Sequence, residues 1–141
     1  MNIISLERKG NSGKTTVLNI VLAELIKSSS SNVKAAQKIP RKIGGDAREI
    51  LIINGKKVGI ETQGDPGSRL EDSLKLFVKE GCELIVCATR TSGSTVDLVN
   101  QYVPPYDISW RSQSVLSKAS LRHESNTSIA NLIVKEALSY L

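Results

Sequence analysis

Residues 3–16 read IISLERKGNSGKTT. An apolar run passes into a turn that ends in Gly13-Lys14-Thr15-Thr16. This is the spacing of a phosphate-binding loop, G-x-x-x-x-G-K-[ST], with one departure: Arg8 stands where the pattern opens on glycine. Gly10 and Gly13 allow backbone conformations that turn successive N–H groups inward as a cradle. A helix starting near Gly13 aims the positive end of its dipole at the same point. Lys14 is then placed for the β- and γ-phosphates, Thr15 for Mg²⁺, and Thr16 for the α-phosphate. Arg8 and Lys9 make the loop more cationic, which favours a polyphosphate.

Around the loop, strand and helix patterns alternate. Residues 2–6 form a buried strand. Val17, Leu18, Ile20, Val21, Leu22, Leu25 and Ile26 form a wide apolar arc at helical spacing, ended by the serines at 28–31. Residues 33–48 are polar and basic and read as a long loop. Apolar runs 50–53 and 58–61 flank Asn54-Gly55, a strong hairpin signal. Asp65 or Ser68 is expected to cap the next helix, with Pro66 in its first turn, Leu70, Leu74, Phe77 and Val78 inward, and Gly81 as its stop. CELIVCATR, 82–90, reads as a strand buried on both faces. A short helix, a strand near Ile108 and Trp110, and a last helix capped near Asn126 complete the order β-α-β-β-α-β-α-β-α. The fold class expected is α/β. A single domain, 1–141, holds a mostly parallel sheet of about five strands, covered on both faces, with one antiparallel hairpin strand at an edge.

Composition narrows the chemistry. The chain has 141 residues and a net charge of +5. Much of the basic excess lies in Lys34, Lys38, Arg41, Lys42 and Arg48. This stretch is either a solvated loop or a phosphate- or nucleic-acid-contacting one; no aromatic residues interleave it for base stacking. His123 is the single histidine, which argues against His-based metal sites and Ser-His-Asp triads. Cys82 and Cys87 read as buried small residues, on opposite faces if they share one strand. With no apolar run of membrane length and no signal-peptide pattern, the chain reads as cytoplasmic, without a membrane partner.

The first 30 residues resemble the P-loop NTPase superfamily. KGNSGKTT is similar to the K-G-G-x-G-K-[ST]-T loop of the ParA/MinD-type ATPases, with Asn11 in place of a glycine. It is also similar to the K-N-S-G-K-T loop of MobB-type proteins. The resemblance implies a three-layer P-loop fold and a nucleotide site built from Lys9, Gly10, Asn11, Ser12, Gly13, Lys14, Thr15 and Thr16. It also implies a homodimer through the nucleotide face, in which Lys9 reaches the partner's nucleotide; otherwise Lys9 is an exposed loop cation. The superfamily adds a second acid at the end of a neighbouring strand. Residues 61–65, ETQGD, resemble its D-x-x-G switch segment, with Glu61 for the aspartate. By that likeness Glu61 or Asp65 joins Thr15 as a metal ligand, Gln63 orients the attacking water, and Gly64 senses the γ-phosphate. The hairpin resembles that of Ras-like GTPases, but their N-K-x-D base-reading motif is absent, so ATP is preferred to GTP. Arg90, at the end of a central strand, is a candidate phosphate clamp.

Three functions follow as expectations. The first is a Mg²⁺-dependent, ATP-binding NTPase (a phosphoanhydride hydrolase) that acts as a nucleotide-dependent switch on a protein partner. Lys14, Glu61 and Gln63 would be its catalytic residues. The second is a small kinase with Arg41, Arg48 or Arg90 as clamps. The third is a nucleic-acid or partner-binding module on the basic face.

Overall fold

The computed structural model describes residues 1–8, 13–28, 47–112 and 119–141, the last stretch with side chains from 123 onward. Its elements are β1 (Asn2–Glu7), α1 (Lys14–Ser28), β2 (Arg48–Ile53), β3 (Lys56–Glu61), α2 (Leu70–Lys79), β4 (Leu84–Thr89), α3 (Ser94–Asn100), β5 (Asp107–Ser112) and α4 (Ala119–Ser139). Lys9, Gly10, Asn11 and Ser12, and the basic stretch 33–46, lie outside the described residues.

The hairpin forms as its turn chemistry requires. Asn54 and Gly55 have φ of 51° and 77°, and these left-handed values are what a two-residue type I′ turn needs. β2 and β3 pair antiparallel, with Arg48 opposite Glu61. The remaining pairings, β3 with β4, β4 with β1 and β1 with β5, are all parallel. The sheet order is β2-β3-β4-β1-β5, so β2 is the antiparallel edge strand.

Residue alternation along the strands divides the interior into two apolar layers. Ile4, Leu6, Leu51, Ile60 and Val86 face α1 and α4. Ile3, Ile50, Ile85 and Cys87 face α2 and α3, with Leu70, Leu74 and Phe77 of α2 above them. Gly59 makes room for this second layer, because a Cβ there would meet the Phe77 ring at 2.5 Å. The architecture is therefore three-layered, with helices on both faces of the sheet. All six residues of β4 are buried, as its unbroken apolar run implies.

Three local expectations change. α2 begins at Leu70 behind Arg69, which makes no side-chain cap; the Leu70 N–H donates to Ser68 Oγ at 3.4 Å, while Asp65 and Pro66 belong to the preceding loop. α4 begins at Ala119, which puts Asn126 inside the helix rather than at its cap. Cys82 precedes β4 instead of sharing the strand with Cys87, so both thiols join the same layer. Burial pushes each thiol up to about 12, which keeps them protonated and unreactive. Among the described residues no helix is long and apolar enough to cross a membrane.

Candidate functional site

The four parallel strands end at Glu7, Glu61, Thr89 and Ser112. At the central pair the chain leaves in opposite directions. β1 feeds α1 on one face, and β4 feeds α3 on the other. Crevices in α/β sheets open where neighbouring connections diverge in this way. A cleft of about 300 Å³ lies here, lined by Lys14 and Thr15 of α1 and by the loop 63–68.

Lys14 opens α1 directly after Gly13, whose φ of +87° needs a glycine. Its side chain is only 5% exposed. The ammonium donates to Asp65 Oδ1 at 2.9 Å. Arg90 Nε lies 3.4 Å from the same oxygen. One carboxylate thus bridges two cations at the mouth of the cleft. The Lys14 hydrogen bond, ahead of opposing burial, holds the Asp65 carboxyl below its ordinary value.

Asp65 arrives by an indirect route. β4 lies between β1 and β3, so β3 ends two strand spacings from β1, about 9–10 Å away. The acid-bearing strand is therefore not the neighbour of the loop strand. The 62–68 loop spans the gap by crossing the end of β4. Gly64 is the crossing point: a Cβ there would lie 2.6 Å from the Ala88 carbonyl carbon and oxygen. This steric need accounts for the glycine without a phosphate contact.

Glu61 takes a different part from the one its position implies. It alternates with Ile60, which faces α1, and so points toward α2. There it is fully buried. Arg69 grips it with Nε–Oε1 at 2.6 Å and Nη2–Oε2 at 3.1 Å, and the Ser73 hydroxyl donates to Oε1. The Gln63 N–H donates to its Oε2 at 3.2 Å. Glu61 does not line the cleft, whereas Asp65, the other acid expected to hold a metal, does. Its ion pair with Arg69 instead closes the loop that carries Asp65. Gln63 does line the cleft, yet its side-chain oxygen accepts the Arg69 N–H at 3.0 Å. That bond uses one of the two lone pairs of the oxygen.

Of the other expected site residues, Thr15 lines the cleft and Thr16 is exposed. Arg48 points away, its Nη1 lying 3.4 Å from the Ser73 hydroxyl. Arg8 is not a cationic lip: it is 3% exposed and donates to Asn126 Oδ1 of α4 at 3.0 Å. Both side chains lie 3.5 Å from where a Gly13 Cβ would sit. Arg8 therefore braces the start of α1 against α4. Sequence reading missed Arg69, Ser73 and Asn126, because no local pattern links residues 61 to 73 or 8 to 126.

The oxygens and cations at the cleft fit a metal-bound polyphosphate. Lys14 would be the cation for such a ligand, and Thr15 and Asp65 are the oxygen-bearing side chains that would hold its Mg²⁺. No aromatic side chain lines the cleft among the described residues. No family model, no curated protein and no solved structure matches the chain, so its reading rests on these residues and their geometry.

Proposed function

We propose that the chain is a P-loop-type nucleotide-binding protein that takes Mg²⁺-bound ATP in preference to GTP and hydrolyses it slowly as a switch. The observation that carries this reading is Lys14: a nearly buried lysine at the first position of a helix fed by a central strand, facing a carboxylate across a polar cleft. A buried ammonium at the positive end of a helix is electrostatically costly by itself and becomes favourable once an anion is present. In this reading Lys14 and the α1 N-terminus hold the phosphates. Thr15 and Asp65 hold the metal, and Arg90 stands ready as a second phosphate contact. A Mg²⁺ held by Thr15 and Asp65 would supply charge neutralisation at the phosphoryl group. The kinase alternative loses Arg48, which is committed toward Ser73.

Calorimetric titration with ATP, GTP and ADP, with and without Mg²⁺, tests the reading. Lys14→Ala is expected to weaken ATP binding at least about tenfold, as loss of a charge-assisted phosphate contact does. Unchanged affinity would sink it. Slow basal hydrolysis with nucleotide-dependent association separates a switch from a kinase, which is fast only with its acceptor.

A further inference from the structure

The Lys14–Asp65 bridge engages the ammonium that a phosphate would use, taking one of its three donors. We infer that Asp65 is an internal anion that holds Lys14 until a polyphosphate carrying a divalent cation takes its place, so that the site rejects metal-free phosphate. This rests on the nucleotide reading above and adds a selectivity to it.

Three observations carry the inference. Lys14 is almost wholly buried, and its ammonium lies 2.9 Å from Asp65 Oδ1. Asp65 is 49% exposed, so an incoming ligand reaches the bridge without unfolding anything. The main chain around Asp65 is pinned on both sides. Gly64 packs against Ala88, the Ser68 N–H donates to the Asp65 carbonyl at 3.2 Å, and the Glu61–Arg69 pair closes the loop behind it. The Asp65 carboxylate can rotate away from Lys14, but its backbone cannot withdraw from the cleft. After displacement it still faces whatever Lys14 has bound.

Two anions placed so closely repel, and the repulsion is strong where water is partly excluded. Carboxylate and phosphate share such a site comfortably only across a divalent cation. Metal-free nucleotide therefore meets two opposing effects, competition for Lys14 and repulsion from the displaced Asp65.

The experiment titrates the full chain with ADP in excess Mg²⁺ and in excess chelator. Wild type should bind more tightly with Mg²⁺. Asp65→Asn keeps the shape and removes the charge. It should bind metal-free ADP about tenfold more tightly than wild type, while its gain from Mg²⁺ collapses toward none. Asp65→Ala should shift metal-free affinity in the same direction, and Asp65→Glu should keep the wild-type preference for the metal complex. If wild type binds ADP and neither neutral variant binds metal-free ADP more tightly, the inference is overturned and the nucleotide reading stands. If no protein binds ADP under either condition, both fall together.

Discussion

Two ion pairs sit four residues apart on one loop and behave as opposites. Glu61–Arg69 has a carboxylate with no exposure, held by two guanidinium contacts, a hydroxyl and a backbone N–H. Lys14–Asp65 has the burial reversed, with the cation hidden and the carboxylate half in water. A buried, fully partnered carboxylate is costly to disturb. A half-exposed one exchanges partners readily, because water replaces what it loses. The first pair therefore maintains the loop, and the second leaves the cleft open to a competitor. The residue that resembles a metal ligand by position is the structural one, and the residue that resembles a helix cap is the one at the site.

The sharpest way to break this contrast is Arg69→Ala. It strands a buried carboxylate and should destabilise the fold by about 3–5 kcal/mol in urea unfolding. Replacing Glu61 and Arg69 together by methionine should recover most of that loss, since the desolvated charges vanish as a pair. A cost below about 1 kcal/mol for Arg69→Ala would erase the distinction between the pairs.

Gly64→Ala probes the crossing between them. The added methyl meets the β4 backbone, and the expected cost is about 1–3 kcal/mol. The same change should raise the Kd for Mg²⁺–ATP, because the loop lifts Asp65 from Lys14. A variant as stable as wild type would show that the loop tolerates the shift.

Lys14→Ala should cost clearly less unfolding stability than Arg69→Ala, since the carboxylate it leaves behind is half-exposed and water replaces the ammonium. Its large effect belongs to ligand binding, the reverse of Arg69→Ala. Loss of the fold in Lys14→Ala would make this lysine structural.

The smallest effect is in pH. The Asp65 carboxyl is held below its ordinary value of 3.8, chiefly by the Lys14 hydrogen bond. A depressed carboxylate contributes stability that is present above the unfolded-state value and lost as pH falls through the folded one. Below pH 3.8, wild type should therefore lose slightly more stability than Asp65→Asn. Thermal midpoints of the two proteins across that range check it, and parallel curves would deny the bridge.

Much of this fold is legible locally. Asn54-Gly55 announces the hairpin, the unbroken run 84–89 announces a strand buried on both faces, and Gly81, with φ of +75°, marks the end of α2. Lys14 is also legible, because the loop pattern places a lysine and a helix start together. Both acids, Glu61 and Asp65, are also named by the sequence; what spacing cannot say is which of them faces the cleft, since Glu61 ends β3 and Asp65 follows four residues later.

What the sequence determines by itself is therefore what short-range sterics and periodicity enforce: the element types, the turn, the helix stop and the lysine at the head of α1. Tertiary structure decided the rest. Insertion of β4 between β1 and β3 moved the acid two strands away and made the loop cross at Gly64. Strand alternation turned Glu61 into the α2 face, and packing of α4 drew Arg8 inward to Asn126. Each of these depends on which strands become neighbours. That is settled by burial summed over the whole sheet, which no local stretch encodes.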